Sequence, residues 1–137
     1  MHYFTVFDTN ILLSALLSTS SNPFKCLALA RIGQVESVTC REILDEFAEK
    51  LRVKFKFSEE MIRSVVEEVC RFSRLVDIFG MLRAVPDDPD DDMVVECAVV
   101  GNATHIVTGD KHLLALTAYQ GIVILGAADF VRLFLST

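Results

Sequence analysis

Short apolar runs alternate with longer amphipathic stretches along the whole chain. Residues 3–7, 35–38, 105–108 and 122–125 are rich in aromatic and β-branched side chains, the pattern of strands buried on both faces. Residues 75–78 form a fifth, weaker run of the same kind. Between them, helical patterning covers 11–17, 22–33, 41–53, 58–72, 91–100, 111–116 and 128–135. Local signals place the ends. Asn22-Pro23 reads as an N-cap followed by proline in the first turn, and Thr39 with Glu42 reads as a capping box. Ser58 reads as a cap, while Gly33 and Gly101-Asn102 read as stops. Met61, Val65, Val69 and Phe72 make one apolar stripe, and Phe130, Val131 and Phe134 another; both are expected in the core, or else on a partner. Strands that alternate with helices specify an α/β fold with a parallel sheet covered on both faces. With 137 residues and no linker-like segment, one domain over 1–137 is expected.

Composition narrows the setting. The hydrophobic fraction is 52%, yet charges interrupt every run well before the roughly 18 residues a membrane helix needs, so no membrane span is expected. The N-terminal stretch has no basic segment or small-residue cleavage site, so it does not read as a signal peptide. Cys26, Cys40, Cys70 and Cys97 lack metal or disulfide spacing and read as small buried hydrophobes of a reducing cytoplasm. His2, His105 and His112 show no zinc-ligand spacing. The net charge of −6 argues against a broad basic surface for nucleic acid. Five of the acids, however, fall within the seven residues 86–92. More aspartates than a helix start requires must be relieved by solvent, protons or a cation.

Asp8 and Asp110 each follow an apolar strand, and ligands of parallel sheets bind beyond the carboxyl ends of strands, where the strand order reverses. If the first and fourth of the five runs, 3–7 and 105–108, are neighbours, the two carboxylates share one crevice; alternatively each merely caps the helix that follows. Glu46 lies at the edge of the apolar face of its helix, beside Phe47, where an ordinary solvated glutamate is the competing reading. A pocket lined with carboxylates suits Mg2+ or Mn2+, which can orient and acidify a water for attack on a phosphodiester. Thr9, Asn10 and Thr108 are placed to hydrogen-bond such acids. Lys50, Arg52, Lys54 and Lys56 alternate with apolar residues, including Phe55, and offer an RNA-guiding stretch or simply a solvated helix end.

Taken in order, Val6-Phe7-Asp8-Thr9-Asn10, the helix bearing Glu46, Asp88-Pro89-Asp90-Asp91-Asp92 and Ile106-Val107-Thr108-Gly109-Asp110 resemble the PIN-domain proteins, in particular the VapC-like toxins of prokaryotic toxin–antitoxin systems. The resemblance implies a three-layer α/β/α fold around a parallel sheet of about five strands. It further implies a cytoplasmic, Mg2+- or Mn2+-dependent ribonuclease acting on single-stranded or loop RNA, dimerisation, and inhibition by a small antitoxin protein. By position, the catalytic acids are then Asp8, Glu46, Asp91 and Asp110, with Asp8, Asp91 and Asp110 as metal ligands; Asp92 assists and Asp88 shapes the turn. Two other functions compete. An inactive PIN-fold interaction module would not need this set of acids. An aspartate phosphotransferase with Asp8 as nucleophile would need an acid two residues on, where this chain has Asn10.

Overall fold

The computed structural model describes residues 2–86 and 88–135; Asp87, one of the clustered aspartates, lies outside them. The chain opens with β1 (Phe4–Phe7), α1 (Thr9–Leu17), α2 (Asn22–Arg31) and β2 (Glu36–Cys40). It continues with α3 (Arg41–Val53), α4 (Glu59–Arg71), β3 (Ser73–Val76) and α5 (Pro89–Val100). Then come β4 (His105–Val107), α6 (Lys111–Leu116), β5 (Ala118–Tyr119), β6 (Ile122–Leu125) and α7 (Ala127–Arg132).

The sheet has six strands in the order β3-β2-β1-β4-β6-β5. Five are mutually parallel; β5 pairs antiparallel with β6 and was not expected from the sequence. Two residues are too few for periodicity to show. The pairing depends instead on Gln120 and Gly121, whose φ values of 48° and 83° make the tight hairpin turn. From β1 the order grows outward in both directions, so the right-handed crossovers place helices on both faces. Helices α7, α2, α1, α3 and α4 contact one another in that spatial order as one layer, while α5 packs on β1, β2 and β4. Val6, Val38, Ile106 and Val107, on the central strands, are wholly excluded from solvent.

Three local expectations are corrected. Ser21, rather than Asn22, caps α2, its hydroxyl accepting from Phe24 N. The capping box at Thr39 does not form: Thr39 is a buried β2 residue, and Cys40, which has no side-chain capping bond, precedes α3. In α4 the buried face runs through Ile62 and Val69, leaving Met61 half exposed. Ser58, in contrast, caps α4 through Met61 N.

Candidate metal centre

The point from which strand order diverges lies between β1 and β4, which pair in register Val6↔Ile106 and Phe7↔Val107. Asp8 and Asp110 therefore leave the sheet on the same edge. Glu46 arrives there from α3 and Asp91 from the first turn of α5. Together with Thr9, Asn10, Lys50, Asp88 and Asp90, they line a small polar cavity of about 140 Å3.

Asp8 is 6% exposed and is held from three directions. Its Oδ1 accepts from Thr9 N at 2.7 Å, and its Oδ2 accepts from Thr108 Oγ1 at 2.7 Å and from Asn10 Nδ2 at 3.5 Å. Thr108 Oγ1 also accepts from Asp110 N at 3.0 Å, and Asn10 Oδ1 accepts from Gly109 N at 3.2 Å. The turn after β4 is thus tied to the turn after β1. The Thr9 hydroxyl is buried without a partner, so Thr9 contributes to Asp8 by its backbone alone. Burial raises the Asp8 carboxyl; the bonds from Thr108 and Thr9 oppose this, and the nearby Glu46 and Asp110 charges add to it.

Asp110 caps α6, accepting from His112 N and Leu113 N. Burial pushes its carboxyl up, but the Leu113 amide, the hydrogen bond to Asp91 and the His112 amide together leave it lowered. Asp91 carries the opposite shift. It is 5% exposed, its Oδ2 has no hydrogen-bond partner among the described residues, and burial beside Asp88 and Asp110 pushes its carboxyl up to about 8. Both roles weighed for the strand-end acids are therefore filled at once: Asp8 and Asp110 cap helices and also face the cavity.

Asp88 does more than shape a turn. It caps α5 through Asp91 N, and one ligand atom from each of Asp88, Asp91, Asp110 and His112 lies within 4.8 Å of the others. A buried carboxylate oxygen without a donor, within reach of two further carboxylates and an imidazole, fits a divalent cation by donor type and by charge.

Asp92, expected to assist at this site, points elsewhere. Its Oδ1 accepts from Ala84 N and Val85 N at 2.6 and 2.7 Å. The helical spacing explains the difference, because consecutive helix residues face about 100° apart. Asp92 shares its face with Glu96, which is 6% exposed and accepts from Phe79 N, Gly80 N and Leu82 N. Burial pushes the Glu96 carboxyl up, yet these amides outweigh it and hold it low. The pair straps residues 79–85 onto α5 above a larger cavity of about 530 Å3. Glu96 was not singled out in the sequence, where it is one glutamate in an apolar helix.

Of the four basic residues considered for RNA, Lys50 alone lines the cavity, one turn after Glu46. Arg52 is engaged by Glu59 and Glu49. Lys54 and Lys56 are exposed at the end of α3.

A family model described as "PIN domain" matches residues 5–112. Among solved structures, the fold is similar to that of VapBC2 from Rickettsia felis bound to a DNA fragment from its promoter. That match has 16% identity and a TM-score of 0.62 over 90% of this chain and 98% of the other. It is also similar to the PIN domain of T. brucei RRP44, at 11% identity and a TM-score of 0.52 over 96% and 80% of the two chains. No curated protein sequence matches the chain. At these identities the structural matches establish a shared fold.

Proposed function

The chain belongs to the PIN domain family, and from that premise we propose that it is a Mg2+- or Mn2+-dependent endoribonuclease that cleaves single-stranded or loop RNA. The observation that carries this is the cavity where β1, α3, α5 and β4 deliver Asp8, Glu46, Asp91 and Asp110, with Asp91 Oδ2 left without a partner.

When bound, a divalent cation there supplies a water of lowered pKa and a counter-charge for the phosphodiester under attack. The residues of the chain do the rest. Asp91 and Asp110, with Asp88 beside them, hold the cation. Asp8 is fixed by Thr108 and Asn10 and orients water or a ligand from the other side of the cavity. Glu46, half-buried one turn before Lys50, is placed to accept a proton from an attacking water. Lys50 is the only cation among the lining residues and meets a phosphate oxygen of the RNA backbone. The cavity is lined by acids, Thr9, Asn10 and Lys50 with no aromatic surface on which a base could stack, so the substrate lies across its mouth and presents a backbone phosphate, as unpaired RNA can.

The VapBC2 similarity supports a toxin role with an antitoxin as partner; a cytoplasmic homodimer that a small antitoxin inhibits is part of the same proposal. No helix among the described residues is long and apolar enough to cross a membrane. A groove of about 370 Å3, lined by Leu12, Leu16, Phe24 and Val65 among others, is a seat for an apolar segment of such a partner. The same groove supports the second reading, an inactive module that binds protein only. The two are separated by incubating a panel of structured and unpaired RNAs with Mg2+ or Mn2+. Cleavage lost in Asp8→Asn and in EDTA establishes the nuclease; intact RNA with well-folded, metal-loaded protein leaves the binding module.

A further inference from the structure

The donors around the cavity are not all carboxylates. His112 stands in the first turn of α6, with Nδ1 3.4 Å from Asp88 Oδ2 and 3.8 Å from Asp110 Oδ1. Its ring is 24 positions from Asp88 in sequence, and only the fold brings the two together. Within the same group, Asp91 is 5% exposed and its Oδ2 lacks a hydrogen-bond partner among the described residues. Asp8 lies outside this four-residue group, its two oxygens engaged by Thr9, Asn10 and Thr108.

We infer that His112 is a direct ligand of the divalent cation, completing with Asp88, Asp91 and Asp110 a three-oxygen, one-nitrogen donor set that selects Mn2+ over Mg2+. The inference rests on the cation site proposed above and adds to it the identity of one ligand and the direction of metal preference. Mg2+ is a hard ion that demands oxygen donors in near-ideal octahedral geometry and sheds water reluctantly. An imidazole nitrogen is a borderline donor, better matched to first-row transition ions than to Mg2+, and of the two ions suited to this carboxylate-rich site Mn2+ is the transition ion. The competing role for His112 is an ordinary imidazolium salt bridge to Asp88 and Asp110. A salt bridge needs no metal and puts no nitrogen on one.

The test compares wild type with His112→Gln, using Mn2+ alone as the probe. The side chain is 58% exposed, and the bond from His112 N to Asp110 does not involve it, so the variant keeps the fold; its melting temperature in EDTA checks this. Spin-echo modulation of bound Mn2+ is expected to show a directly coordinated 14N in wild type and none in the variant. The variant is expected to lose about tenfold or more in Mn2+ affinity, the lower bound of what even an indirect partner of a metal supplies, with a smaller change for Mg2+. Bound Mn2+ without 14N modulation, or equal affinities in the two proteins, overturns the role of His112 and leaves the carboxylate site standing. Wild type that fails to bind Mn2+ at all overturns the site together with its ligand.

Discussion

Thr108 Oγ1 donates to Asp8 Oδ2 at 2.7 Å across the seam between β1 and β4, and the same oxygen accepts from Asp110 N. One buried hydroxyl therefore sets the relative position of two acids that are 102 positions apart in the sequence. Thr108→Val keeps the shape and removes the bond. The Asp8 carboxylate then loses a donor in a site that is 6% exposed, and Asp110 N loses its acceptor. We expect a stability loss of about 1–3 kcal/mol in chemical denaturation. We also expect a fall in RNA cleavage larger than that from Thr9→Val, whose hydroxyl bonds nothing. Equal activities in the two variants would show that Thr108 does not position the acids.

Glu96 and Asp92 hold residues 79–85 by their backbone amides, and Asp88 comes three residues after that strap. Glu96→Gln replaces an ionised acceptor with a neutral one that also brings an amide of its own toward three N–H groups. About 1–3 kcal/mol of local stability should go with the charge-assisted bonds. Arg83 is exposed on the strap, so trypsin should cut after it faster in the variant than in wild type. RNA cleavage should fall as well, since Asp88 and Asp91 lose their support. An unchanged digestion rate would mean that the strap is held by its other contacts.

How much of this was legible beforehand depended on the range over which each signal acts. A strand buried on both faces announces itself as a continuous apolar run, and the polar residue that ends it is visible at once; Asp8 and Asp110 stood out for that reason. Their adjacency needed an assumption about strand order, and the register Val6↔Ile106 meets it. Asp92 was misplaced because nothing local tells which of two neighbouring helix acids faces the cavity and which the strap. Glu96 answers to amides in a loop without periodicity, and His112 to a partner on another helix. Thr39 and Ser21 show the opposite limit: capping rules act over three or four residues, and the end of β2 overrode one of them. Except at Ser21, whose cap is a local bond to Phe24 N, the missing information was tertiary.

His105 gives a pH dependence independent of the metal centre. It is 8% exposed, stacks near Tyr3 and Phe130, and has Thr104 Oγ1 at 2.7 Å from Nδ1. Burial lowers its pKa below the ordinary 6.5, so the folded protein holds the ring neutral where the unfolded chain already protonates it. The stability this contributes is complete above pH 6.5 and is lost as pH falls through the lowered folded value. Melting curves in EDTA should therefore drop on acidification below that point, and His105→Gln should flatten that drop while lowering the melting temperature at neutral pH. Parallel pH profiles for the two proteins would assign the acid limb to other groups.

Asp91 sets function against stability most directly. Without a cation its carboxyl is buried beside Asp88 and Asp110 with Oδ2 unsatisfied among the described residues, and the cost of ionising it there lifts its pKa to about 8. Asp91→Asn has nearly the same shape and turns one repelled oxygen into an amide that can donate to the neighbouring carboxylates. The variant should melt above wild type in EDTA, by about 0.5–2 kcal/mol in denaturation, a gain typical of relieving strain at a functional site. Wild type should then overtake it as Mn2+ is added, because ligand binding stabilises only the fold that holds the ion. The variant should gain little and cleave no RNA. If Asp91→Asn instead melts lower in EDTA and responds to Mn2+ as wild type does, the carboxylate is a structural group, and the cation site must be sought around Asp8 and Glu46.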